Sequence, residues 1–380
     1  MQALDDFFEK GFRPFFLGAG LWASLGMVLW TLTFRGDVTF DFQWSPRDWH
    51  IHEMLFGYVS AVIAGFLLTA VPNWTGIAAP KGWRLAGLFG LWLAGRLALL
   101  LAAHLPPLLV AVIDVSFLVV LEIWLVSALL KSGNKRNLVV AGLIGLLILS
   151  NAVMHWNVGE PVGARGGLLA VIMLMSLIGG RVIPAFTRNW LAGQGSAAVV
   201  PEFASIDKLA LMTSGAALIL FAAGVEGILT AAVFALASVA GAARLARWQG
   251  RAAAREPLVW IMHLGYLWLP VGYALLAISQ VSSMVSVTTA LHALTSGAVG
   301  TITLAIMTRA SLGHSGRPLQ ASPATLYIYG LVTFAALLRV TSGALADPTF
   351  FYSLAGLAWA AAFLIFALVY GRMFARPQTG

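Results

Sequence analysis

A chain of 380 residues that is 60% hydrophobic and only 10% charged, with mean hydropathy +0.88, carries too little charge to cover a soluble surface. It has no cysteine, which excludes disulfides, iron–sulfur clusters, covalently attached c-type haem and thiolate copper, so any metal must be held by His, Met, Asp or Glu. The net charge of +8 comes from basic residues in short connections between apolar segments, a topology signal rather than a nucleic-acid-binding patch.

These properties predict an all-α polytopic membrane protein. The first thirteen residues, MQALDDFFEKGFR, read as a short amphipathic lead rather than a cleavable signal peptide. Twelve transmembrane helices are then expected, at about 14–34, 50–72, 84–103, 106–130, 137–156, 164–187, 208–225, 227–246, 257–279, 286–308, 323–344 and 349–371. Of the 23 basic residues, 17 fall in the N-terminus and the even-numbered connections and 3 (Arg35, Arg47, Arg165) in the odd-numbered ones. Arg96, Arg181 and Arg339 lie inside spans. This asymmetry places both termini in the cytoplasm. Residues 1–380 read as a single integral membrane domain. The similar endings of spans 2, 6 and 10 (TAVPNWTG, RVIPAFTRNWLAG, LAIMTRASLG) suggest three groups of four helices.

Span 2 carries the densest chemistry. In WHIHEMLFGYVSAVIAGFLLTAVPNW, His50, His52 and Glu53 stand at the mouth of a helix about 35 Å long, closed by a Pro-Asn-Trp-Thr-Gly turn. The topology puts His155 at the outer end of span 5 and His292 roughly 10 Å below the outer end of span 10. Histidines from three spans thus gather in the outer third. Imidazole in an apolar layer must be hydrogen-bonded or metal-bound, and it is the natural ligand of haem iron and copper. Residues two apart project about 200° apart on a helix, so His50 and His52 serve different neighbours. His104 lies in an outer turn and His314 in a cytoplasmic loop.

Each of these positions also has a plainer role. His50 and His104 are equally readable as interfacial groups bonded to water. Asn151 and His155 share one helix face, either as a metal ligand with a supporting amide or as a hydrogen bond joining helices. His263 is too far toward the cytoplasm to join the outer group; it bonds a backbone carbonyl or serves a second cofactor or proton path. Arg96 and Asp114 lie nine residues either side of Leu105 in the hairpin of spans 3 and 4, so they should meet and neutralise each other. Glu122 lies deeper, with no obvious partner. Glu53 is a proton-donor candidate, or a carboxylate favoured at a helix N-terminus. Arg181 either meets a cofactor carboxylate or snorkels to the inner interface.

FRPFFL, WHIHEMLFGY, VIAGFLLTAVPNWTG, GGRVIPAFTRNW, WIMHLGYLWLP and HALTSGAVGTITLAIMTRASLGHSGRPL together resemble the NnrS family of bacterial membrane proteins, from the first span to the tenth. The resemblance implies a twelve-span inner-membrane protein containing haem and copper, linked to nitric oxide metabolism and nitrosative-stress resistance; we expect the haem to be haem b and the electron donor to be a quinol or a cytochrome. We expect cofactor-binding roles for His52, His263, His292 and Arg181. By fold-level analogy with twelve-span haem-copper enzymes, we expect haem between His52 and His292 and copper at His50 and His155, with Glu53 supplying protons for nitric oxide reduction. Two other classes remain open: a secondary transporter of a small solute or copper, built from repeats, and a nitric oxide sensor or scavenger without turnover.

Overall fold

The computed structural model describes residues 6–39, 43–157 and 159–375. Among these residues there is no strand, and twelve helices are long and apolar enough to cross a membrane. They are α1 Phe12–Arg35, α2 Pro46–Thr75, α3 Trp83–Leu100, α4 Pro107–Lys131, α5 Lys135–Trp156 and α6 Pro161–Gly193. The remaining six are α7 Ser205–Ala222, α8 Ile228–Ala246, α9 Pro257–Ser279, α10 Val287–His314, α11 Pro323–Ala344 and α12 Thr349–Phe374. All twelve expected spans are present, so the protein is a multi-pass membrane protein. In lipid every backbone N–H and C=O needs an internal partner, and a helix supplies it.

The ends differ in instructive places. Ser45 starts α2 by accepting the Asp48 N–H at 3.1 Å, with Pro46 at the first helical position. At the far end Pro72 does not stop the helix, which continues to Thr75. It stops at Gly76, whose φ of 72° only glycine adopts freely, and whose N–H bonds the Pro72 carbonyl at 2.8 Å. Pro184 is likewise carried inside α6. Two helices change pitch partway. α2 is π-helical over Glu53–Tyr58 and α10 over Ala293–Val299, each directly after a histidine. Such segments cluster at functional sites.

The chain forms two compact units. The first takes the chain up to Val171, the stretch His314–Gly316 and the chain from Phe363 onward. Its core sets Phe15 of α1 against Phe89 of α3 and Phe117 of α4, both at 5.6 Å between ring centroids. A Cβ at Gly163 would lie 2.7 Å from the Met154 nitrogen and 2.8 Å from the Ser150 carbonyl. The backbones of α5 and α6 therefore touch, as small residues permit in lipid.

The second unit holds residues 172–313 and 317–362. A buried arginine organises its interior. Arg244 of α8 donates to Asp207 Oδ1 at 3.0 Å, to the Ser176 carbonyl at 3.0 Å and to the Tyr266 hydroxyl at 2.9 Å, and lies over the Trp248 ring. Arg247 donates to the other carboxylate oxygen, Asp207 Oδ2, at 2.6 Å. A Cβ at Gly180 would overlap the Arg244 guanidinium. Gly180→Ala should therefore destabilise the protein by about 1–3 kcal/mol, the usual range for overpacking. Gly193→Ala on the same helix, where a Cβ meets open space, should change little. Thermal unfolding of the two variants in detergent makes the comparison.

Candidate metal centre

The candidate centre lies in the first unit, at the end where α2 and α4 begin and α3 and α5 finish. α2 contributes His52 and Glu53, α3 Arg96, α4 Asp114, and α5 Asn151 and His155. All lie within about two turns of a helix end, hence at one level. Arg96 and Asp114 meet as the hairpin arithmetic requires, forming a fully buried ion pair. That pair is only part of a larger set. Arg96 also donates to Glu53 Oε2 at 2.6 Å, an oxygen that accepts from Trp22 Nε1 at 2.6 Å as well. Trp44 covers the group, edge-on to His52 at 5.0 Å and to His155 at 4.9 Å.

Asp114 is the hub. Its Oδ1 takes Arg96, while its Oδ2 faces His52 Nε2 at 3.1 Å, His155 Nε2 at 3.0 Å and the donating Asn151 Nδ2 at 2.8 Å. Asn151 and His155 share a face, as their spacing dictates, but both turn to Asp114 rather than to each other. The Asn151 contact also aims that residue's Oδ1 at His52 Nε2, 2.9 Å away. The second ring nitrogen, Nδ1, faces Glu53 Oε1 at 3.0 Å.

Every close polar neighbour of His52 is thus an acceptor, whereas a neutral imidazole offers one N–H and one lone pair. The charges give the same answer. Two carboxylates against one guanidinium leave one negative charge uncompensated when both imidazoles are neutral. The site therefore calls for one further positive charge, supplied by a proton or by a metal ion. One ligand atom each from His52, Asp114 and His155 lie within 4.8 Å of one another. Two imidazoles and a carboxylate suit a first-row divalent ion, copper included. The outer contacts fit as well, with Glu53 on the far nitrogen of His52 and Arg96 on the far oxygen of Asp114.

The other candidates are placed differently. His50 stacks on Trp30 at 4.6 Å and 14°, on another face from His52, whereas His155, expected beside His50, shares Asp114 Oδ2 with His52. His292 lies in the second unit, where its Nδ1 faces the Thr288 carbonyl at 2.8 Å. That bond places the proton on Nδ1 and leaves Nε2 with a lone pair, the arrangement an axial haem ligand needs. His263 bonds Thr187 Oγ1 at 2.9 Å, and a Cβ at Gly250 would lie 2.7 Å from its Nδ1. Arg181 sits half-buried on α6, three residues before Pro184. Glu122 keeps Oε2 without a hydrogen-bond partner. His104 lies in an exposed turn and His314 ends α10.

The family model described as NnrS protein matches residues 6–378, nearly the whole chain. The chain belongs to the NnrS family. Membership supports a nitric oxide-related membrane protein. No curated protein matches the chain. In this NnrS-family protein the residue that sequence reasoning underrated is Asp114, read as a structural partner of Arg96 alone. A buried acid in span 4, at the depth of histidines on spans 2 and 5, was the available signal. Its rotation toward them was not. Trp22, Trp44 and the Arg244–Asp207 pair were not singled out at all, since tryptophans are frequent here and Arg244 lies in a basic run next to a span end.

Proposed function

We infer that the protein binds nitric oxide within the bacterial inner membrane and reduces or otherwise detoxifies it, using copper held by His52, Asp114 and His155 and a haem b held by His292. The carrying observation is the donor deficit at His52, an imidazole surrounded by acceptors beside a second imidazole and a shared carboxylate. The π-helical turns directly after His52 and after His292 support a functional role for both histidines. When bound, the two metals supply a coordination position for nitric oxide and electrons for its reduction. The electrons would come from a quinol or a cytochrome.

The protein's own groups have distinct tasks in this reading. Glu53 fixes the His52 ring through Nδ1, and Arg96 holds both carboxylates in place. Trp44 keeps water from the two imidazoles. Glu53, His52, Asp114 and His155 form one continuous hydrogen-bonded chain. Joining two nitric oxide molecules as nitrous oxide and water consumes two protons and two electrons, and Glu53, on the His52 nitrogen turned away from Asp114, is the group placed to relay the protons. A proton that reaches Glu53 is handed on at Oε1, toward His52 Nδ1, because its other oxygen is held by Arg96 and Trp22. The distribution of basic residues puts this end of the bundle at the outer face, with both termini cytoplasmic.

The test is a metal analysis and a reduced-minus-oxidised absorbance spectrum of the purified protein, repeated after adding nitric oxide. Copper and haem b are expected, with α and β bands that shift on nitric oxide, and nitrous oxide should form when a reductant is present. His155→Ala should lose copper and keep haem. Unchanged copper in the His52→Ala, His155→Ala double variant would sink the copper assignment. A nitric oxide shift without nitrous oxide would make the protein a scavenger or sensor. The division into two compact units favours one other reading, a secondary transporter; protein free of both metals would point there.

A further inference from the structure

α10 and α11 are packed neighbours joined by a short connection, so the start of one and the finish of the other lie at the same end of the second unit. They approach closely there, since a Cβ at Gly343 would overlap Thr289 Oγ1. One turn inward of that contact, α10 presents His292 and α11 presents Arg339. The two side chains share a level on adjacent helices, near enough for the guanidinium to act electrostatically on the imidazole.

Neither is fully satisfied by the protein around it. His292 keeps the Nε2 lone pair described above. Arg339 lies over the Tyr352 ring at 3.7 Å and hydrogen-bonds the Tyr352 side chain, but its Nη1 is buried without a hydrogen-bond partner. None of the described carboxylates forms an ion pair with it. Arg96, by comparison, meets two carboxylates and Arg244 one. A guanidinium inside a span is costly, and such groups are found paired or lining functional cavities. The ring beneath it holds the fork in one plane, which suits a planar carboxylate.

We propose that Arg339 binds a carboxylate of the ligand held by His292, a metalloporphyrin whose propionate takes the guanidinium. A metalloporphyrin is an apolar disc with a metal at its centre and carboxylates on one edge. An imidazole lone pair and a guanidinium with no carboxylate partner at one level supply a partner for each. The proposal rests on the haem reading of His292. A small oxyanion such as nitrite would satisfy the same guanidinium, so the experiment must separate the two sources.

The full-length protein is purified as wild type, His292→Ala, Arg339→Gln and Arg339→Lys, each checked for a single symmetric gel-filtration peak. Haem per polypeptide, haem midpoint potential, and the spectral response to added nitrite are measured for each. His292→Ala should lose haem. Arg339→Gln should weaken haem retention about tenfold, the loss of one charge-assisted contact. Any haem it keeps should have a lower midpoint potential, because a positive charge that disfavours ferric haem is gone. Arg339→Lys should restore most of both. Haem present in the wild type, lost in His292→Ala and unchanged in Arg339→Gln overturns this proposal and leaves the haem reading standing. A haem-free wild type, or haem retained in His292→Ala, ends both. Normal haem in Arg339→Gln, with a nitrite response seen only in the wild type, identifies the small oxyanion as the occupant and overturns the porphyrin assignment.

Discussion

Asp114→Asn should lower the stability of the folded protein by about 3–5 kcal/mol, because it removes one charge from a buried, mutually dependent set. The isosteric amide keeps the shape of the side chain. It leaves Arg96 with Glu53 alone, and it turns either an N–H or a weakened acceptor toward His52 and His155. Copper bound at the triad should fall with it, since one of three ligands is lost. Thermal unfolding in detergent and copper analysis read the two effects separately. The triple variant Glu53→Gln, Arg96→Met, Asp114→Leu removes the three charges together, and should be less destabilised than the single change. A cost below about 1 kcal/mol for Asp114→Asn would mean that water already screens the site, as it does for exposed pairs.

Gly57→Ala is expected to damage the same centre without touching a charged residue. A Cβ at Gly57 would overlap Arg96 Nη1 and lie 2.6 Å from Glu53 Oε2 and 3.0 Å from Trp22 Nε1. None of these atoms is free to retreat. Arg96 is anchored on its other side by Asp114, and Trp92 Nε1 donates to the Gly57 carbonyl at 2.9 Å, pinning the helix from α3. Overpacking of this kind costs about 1–3 kcal/mol. Because the displaced atoms hold His52 in place, copper content should drop as well. Gly142→Ala, where a Cβ meets open space on α5, is the control. It should be neutral or stabilising by up to about 1 kcal/mol through helix propensity. Equal copper in the two variants would show that the arginine and its carboxylates do not position the site.

The sequence by itself determined the number of spans, their order and the level of each polar residue along them. Lipid offers no partner for a backbone N–H or C=O, so span length and helicity follow directly from hydropathy. Level then follows by counting residues, which is why Arg96 and Asp114 could be paired across the Leu105 turn. The same counting sent His50 and His52 to opposite faces, one onto Trp30 and the other into the charged cluster. Rotation about each helix axis is another matter. α4 and α5 are apolar nearly all round, and lipid tails are as apolar as leucine, so no stripe marks which side faces the protein. That is why Asp114 could be placed at the depth of His52 and His155 but not turned toward them. The π-helical turns after His52 and His292 shift the rotation of all that follows, and nothing in the local hydropathy marks where they begin. Tertiary packing decided these rotations: Trp22 and Arg96 from neighbouring helices close on Gly57 of α2, and the chemistry of the centre depends on that closure.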